Sequence, residues 1–128
     1  MTHTAPLPLS DLKLLIVEDE YMIASDLRAT LEKNGAHLVE MASGISRALS
    51  FLSRTRFDAA ILDLNLAGEL STPVASALRA RKIPFVIMTG YGESLRTAPE
   101  FEGVVVIEKP VTSDAVARAV ATAVSESS

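Results

Sequence analysis

The sequence predicts a single doubly wound α/β domain, a five-stranded parallel sheet covered by helices on both faces. Three observations predict it. Short apolar runs alternate with helix-period patterns five times along the chain. At 128 residues there is room for one compact domain with a genuine core and little else. Finally, the polar residues most able to do chemistry, Glu18, Asp19, Asp63, Thr89 and Lys109, each fall just past an apolar run. In an open parallel sheet the carboxyl ends of the strands converge on one crevice where ligands bind.

The elements follow in order. Residues 12–17 read as the first strand. Ile23, Leu27 and Leu31 then recur at four-residue spacing, and Asn34-Gly35 supplies a helix stop. Residues 37–41 form a weaker, partly polar strand of the kind found near a sheet edge. Ile45, Ala48, Leu49 and Leu52 carry the second helix, with Ser43 as its expected cap. Residues 59–62 read as a buried strand. Ser71-Thr72-Pro73 offers a capping residue and a proline tolerated in a first helical turn, opening a helix through Val74, Ala77 and Leu78. Residues 84–88 give the fourth strand, 93–99 a short polar fourth helix and 104–108 the fifth strand. Val116, Ala119, Val120, Ala123 and Val124 stripe a terminal helix capped by Thr112 or Ser113. Residues 1–10 are expected to be a loose extension, 11–125 the domain and 126–128 a tail.

Composition narrows the function. Hydrophobic residues at 48% against 22% charged argue for a globular chain over a disordered one. No apolar run is long enough to cross a bilayer, and the first ten residues lack the features of a secretory signal. Without cysteine there is neither a disulfide framework nor a thiolate zinc site. A cytoplasmic protein is expected. The net charge of −4 disfavours nonspecific binding to nucleic acid or acidic membranes. Arg79, Arg81 and Lys82 cluster, but cations at a helix end complement its dipole without any partner. With residues for one domain, no DNA-binding effector is expected.

Three carboxylates gathered in one crevice need compensation. Each pair at about 4 Å repels by about 4 kcal/mol at an effective dielectric of 20. A protein holds such a group by keeping one carboxyl protonated or by placing a cation among them. Lys109 offsets one charge and a divalent ion the remainder. Oxygen ligands and a phosphate-binding role favour Mg²⁺. Asp19 and Asp63 would bind it directly, the Asn65 backbone carbonyl would add a third ligand, and Glu18 would act through a water. A central aspartate such as Asp63 can also be a nucleophile that becomes an aspartyl phosphate. Lys109 would then hold one phosphoryl oxygen; the Thr89 hydroxyl and the backbone N–H groups of Leu64 and Gly90 would hold another.

Glu18-Asp19, Asp63, Thr89 and Lys109-Pro110, spaced in this way through five βα units, resemble the receiver domain of bacterial two-component response regulators. The resemblance covers residues 12–124. It implies a flavodoxin-like (βα)5 fold with strand order 2-1-3-4-5, and a phosphoacceptor domain rather than an enzyme. Asp63 would accept a phosphoryl group from a histidine kinase or phosphotransfer protein with Mg²⁺, hydrolyse it slowly, and act on a downstream protein as a monomer or phosphorylation-dependent dimer. The segment from Pro84 to Gly92 is similar to a receiver subgroup named for Phe-Ala-Thr-Gly, commonly paired with HWE-type kinases, although Ile87-Met88 replaces Phe-Ala here. Many receivers carry an aromatic residue three positions before the lysine. Here it is Val106, and Tyr91 is the expected substitute switch.

Each residue has a plainer reading by itself. Glu18-Asp19 could cap a helix or end a strand, Asp63 could cap a turn, and Lys109 and Thr89 could be loop residues. Tyr91 could be a half-buried packing residue. Only joint placement favours a site. Gly90-Tyr91-Gly92 is not a dinucleotide fingerprint, because Leu95 stands where its third glycine belongs. His3 and His37 lack partners at ligand spacing. Two other functions compete: a small Mg²⁺-dependent phosphohydrolase with Asp63 as nucleophile, and a pseudo-receiver acting by contact alone. The first usually needs an acid where Asn65 stands; the second sits poorly with an intact acidic trio.

Overall fold

The computed structural model describes residues 7–90, 99–109 and 112–127. Five strands, β1 (Lys13–Val17), β2 (Leu38–Ala42), β3 (Ala59–Asp63), β6 (Phe85–Thr89) and β7 (Val105–Glu108), form one parallel sheet in the order β2-β1-β3-β6-β7. Counted along the chain, these five sheet strands stand in the expected order 2-1-3-4-5. Between β3 and β6 lies a small antiparallel hairpin, β4 (Asn65–Leu66) and β5 (Glu69–Leu70), which the apolar pattern does not announce. The helices are α1 (Tyr21–Lys33), α2 (Ile45–Arg54), α3 (Thr72–Ala80) and α4 (Ser113–Ser127), the last being the expected terminal helix. The expected fourth helix, 93–99, lies outside the described residues except for Pro99, which opens a 3-10 turn, Pro99–Phe101.

Strand alternation builds two cores. Leu15, Val17, Ala60, Leu62, Phe85 and Ile87 point to one face, where they meet α2 and α3 through Ala48, Leu52, Val74, Ala75 and Leu78. Leu14, Ile16, Ala59, Ile61, Val86 and Met88 point to the other, against Ala24, Leu27 and Leu31 of α1 and Val116, Ala117 and Val120 of α4. A central strand buried on both sides therefore reads as an unbroken apolar run. β3 is the clearest case, buried at every position. The partly polar β2 sits at one sheet edge, as expected, and β7 at the other, with Val106 exposed.

Several local expectations are corrected. Leu9, assigned to a loose extension, is fully buried among α1 and α4 residues, and its amide donates to Asn34 O at 2.9 Å. The adjoining backbone is close enough to Gly35 (φ +104°) that a Cβ there would meet Leu7 Cβ at 3.0 Å and Ser10 Cα at 3.1 Å. Only glycine fits that crossing. At the other end α4 runs on to Ser127, through the first residues expected to be tail. The N-cap of α2 is Gly44, with no side-chain cap from Ser43. Ser71 does occupy the N-cap of α3, but its hydroxyl donates to Leu64 O instead of capping. Thr112 does cap α4: its Oγ1 accepts the Ala115 amide at 3.1 Å. Among the described residues no helix is long and apolar enough to cross a membrane.

Candidate functional site

The strand order itself makes the crevice. From β1 the chain moves outward to β2, then crosses back over β1 to build β3 on its other side. Such a reversal leaves a gap at the carboxyl ends of the two central strands. Glu18 and Asp19 follow β1 immediately, the Glu18 amide continuing the ladder by donating to Ala42 O at 3.0 Å. Asp63 ends β3, one residue later than the apolar run suggested, because the Leu64 amide still pairs with Met88 O at 2.9 Å. Thr89 ends β6, one residue beyond Met88, which lies level with Asp63. The Lys109 amide, just past β7, donates to Thr89 O at 2.7 Å and ties those two strand ends together.

Four of the five expected side chains come together, while Thr89 is placed only as a buried residue at the end of β6. A carboxylate oxygen from each of Glu18, Asp19 and Asp63 lies within 4.8 Å of the others. Lys109 Nζ, half-buried, donates to Asp63 Oδ2 at 2.8 Å and Glu18 Oε1 at 3.2 Å. Asp63 Oδ1 accepts the Asn65 amide at 3.2 Å. The Asp63 carboxylate is therefore held at both oxygens, by an ammonium on one and a peptide N–H on the other. Thr89 is buried beside this pair of strands, and Asp19 is exposed at the mouth.

Charge is unevenly shared. Glu18 is only 2% exposed, and its Oε2 has no hydrogen-bond partner among the described residues. Burial pushes its carboxyl up to about 8, aided by the hydrogen bond and negative charge of Asp63 and opposed by Lys109. Burial by itself would lower the Lys109 ammonium, but the hydrogen bonds and charges of Asp63 and Glu18 prevail and hold it above its ordinary value. One cation thus serves two buried carboxylates and leaves an acceptor oxygen unused. A hard divalent cation bound by oxygen ligands fits that donor set: three carboxylates, one of them open to solvent, with an orphaned buried oxygen among them.

One expected contact is corrected. The Leu64 N–H, assigned to the phosphoryl group, is committed to Met88 O in the sheet. The amide aimed at Asp63 is that of Asn65, a residue expected to contribute its carbonyl. The available signal was the Asn65-x-x-Gly68 spacing, since the Asn65 side chain accepts the Gly68 amide at 2.7 Å and so turns the backbone. Gly90 follows Thr89 directly, where the phosphoryl contact was expected. Tyr91, the expected switch, lies outside the described residues. Val106 pairs in register with Ile87 and is 44% exposed on edge strand β7.

Comparison with known proteins agrees with this geometry. Residues 14–121 match the model of the response regulator receiver domain. The chain is 32% identical over 101 residues to the phyllosphere-induced regulator PhyR of Methylorubrum extorquens, covering 77% of this chain but only 38% of PhyR. It is 29% identical over 112 residues to sporulation initiation phosphotransferase F of Bacillus subtilis, covering 84% of this chain and 90% of that protein. Among solved structures, SdrG from Sphingomonas melonis Fr1 superposes with a TM-score of 0.74 at 43% identity, over 89% of this chain and 96% of SdrG.

Proposed function

The chain belongs to the response regulator receiver domain family, and from that premise we propose that it works as a stand-alone receiver whose phosphoacceptor is Asp63. Receiver domains are phosphoacceptor signalling domains, served by histidine kinases or phosphotransfer proteins, and they bind Mg²⁺ at an acidic pocket. One observation carries the assignment to Asp63: its carboxylate is the member of the acidic trio that also touches Lys109, at 2.8 Å, and a backbone amide, at 3.2 Å. It is the only one of the three flanked in this way among the described residues.

In the proposed reaction an Asp63 oxygen attacks phosphorus. The P–N bond of a phosphohistidine, or the P–O bond of a small acyl phosphate, breaks, and the leaving group departs with the bonding electrons. Bound Mg²⁺ would neutralise charge on the carboxylates and the phosphoryl group. Asp19 and Asp63 would hold the ion directly with the Asn65 carbonyl, and Glu18 through a water. Lys109 gives up its contact with Asp63 to meet a phosphoryl oxygen, while the Thr89 hydroxyl and the amides of Asn65 and Gly90 provide further donors. Asn65, a neutral residue two past the nucleophile, supports an acyl phosphate that persists over rapid turnover. Likeness to SdrG and to the Bacillus phosphotransferase over nearly their full lengths supports a receiver acting without an attached effector. The segment ending in Thr89-Gly90 supports an HWE-type kinase as donor, a downstream protein would read the phosphorylated state, and the cytoplasm is the compartment such a donor implies.

The test is direct. Incubated with Mg²⁺ and acetyl phosphate, the protein should gain one phosphate mass, and Asp63→Asn should gain none. Labelling that survives in the variant would assign the acceptor elsewhere.

A further inference from the structure

We propose that the Asn65 side chain is a positioning residue: by closing the β4–β5 turn it fixes the backbone amide and carbonyl of Asn65 against Asp63 before any ion or phosphoryl group arrives. This rests on the phosphoacceptor reading of Asp63 and deepens it. The chain folds back at once after the nucleophile. Asn65 pairs with Leu70 and Leu66 with Glu69, around a two-residue turn in which Ala67 (φ +52°) and Gly68 (φ +94°) both adopt the left-handed conformation. That is the geometry of a type I′ hairpin, for which Ala67 is a poor residue. A hairpin of two residue pairs is marginal by itself. What closes it from within is Asn65 Oδ1, which accepts the Gly68 amide at 2.7 Å.

The base of the hairpin is pinned as well. Leu64 O accepts both the amide of Ser71 (2.9 Å) and its hydroxyl (3.1 Å), and Ser71 is fully buried. The Leu64 amide is held by Met88. Leu64 is therefore fixed from β6 on one side and α3 on the other, and the hairpin is clamped at its far end by Asn65 and Gly68. Between the clamps the Asn65 amide is directed at Asp63 Oδ1. The Asn65 side-chain oxygen is engaged by Gly68, while its backbone amide meets the carboxylate. Its contribution to the site is made through its own backbone. Preorganised groups need not be ordered at the moment of binding, which strengthens binding without a new contact.

Gly68 separates this role from direct contact. A Cβ there meets nothing within 4 Å among the described residues, so Gly68→Ala acts by straining the turn. Mg²⁺ titrations of the full chain, followed by calorimetry and by the Asn65 amide resonance, are expected to show both Asn65→Ala and Gly68→Ala binding roughly three- to tenfold more weakly, the loss typical of one hydrogen bond. Gly68→Asn, which tolerates positive φ, should recover much of that loss and also serves if the alanine variants fold poorly. A merely structural turn would lower the melting temperature and leave Mg²⁺ affinity unchanged. Unchanged Mg²⁺ affinity in variants that still unfold cooperatively overturns the proposal. The two readings fail separately: a parent protein that acetyl phosphate does not label at Asp63 removes the phosphoacceptor assignment, whereas a labelled parent with turn variants of unaltered Mg²⁺ affinity removes this one alone.

Discussion

At the scale of the residue, Glu18 concentrates the electrostatic strain of the site. Its carboxyl is raised from 4.5 to about 8, chiefly by burial and then by Asp63, so the folded protein holds a proton that the unfolded chain has released. A raised acid stabilises the fold below its unfolded value and loses that contribution as pH climbs through the folded one. Without metal, stability should therefore fall between pH 4.5 and 8. Lys109, raised above its ordinary value, stays charged throughout this window and does not reverse the slope. Glu18→Gln should flatten the dependence and raise the melting temperature in EDTA at pH 8, which thermal melts across that range would reveal. Mg²⁺ binding competes with the same proton, so its affinity should weaken as the solution is acidified below pH 8. An equal affinity at pH 6 and pH 8.5 would show that Glu18 carries no such proton. The acidic trio and Lys109 were legible in the sequence because each follows an apolar run. The Asn65 amide was not, because backbone groups carry no residue signature.

Among the elements, the strand at each sheet edge and the helices with clear apolar spacing were legible, and the pieces joined by single contacts were not. The β4–β5 hairpin turns on Ala67-Gly68, which lacks the Asn-Gly or Asp-Gly signal. The N-terminal strap is equally silent: Leu7 and Leu9 alternate with prolines, and no helical or strand period reveals that Leu9 is the buried one. Its burial nonetheless has a consequence. Leu9→Ala should destabilise the domain by about 2–5 kcal/mol, the range for truncating a buried leucine. Leu7→Ala, half-exposed at 53%, should do much less. Denaturant unfolding of both variants measures the contrast, and equal small losses would return the strap to a loose extension.

For the whole molecule, the sheet separates stability from chemistry. Two apolar layers, one on each face, hold the strands in register, while the acidic residues gather at their carboxyl ends. An ion bound only by the folded pocket stabilises the entire fold through mass action. At ten times its dissociation constant Mg²⁺ should add about 1.4 kcal/mol, a rise of about 4–6 °C in melting temperature. Asp19→Asn should abolish most of that rise with little change in the metal-free melt, since Asp19 is exposed and Mg²⁺ should gain most from it. A full Mg²⁺ response in the variant would place the ion elsewhere. The amino-acid order alone determined the five strands, their parallel arrangement and which five side chains stand at four of their carboxyl ends, because apolar periodicity is a local property and strand ends are where it stops. Tertiary structure decided what periodicity does not encode: that Leu9 fills a core, that the Leu64 amide belongs to the sheet and the Asn65 amide to Asp63, and that Glu18 lies deep enough to hold a proton. Hydrogen-bond partners and desolvation are set by neighbours distant in sequence, and those exist only once the chain has closed upon itself.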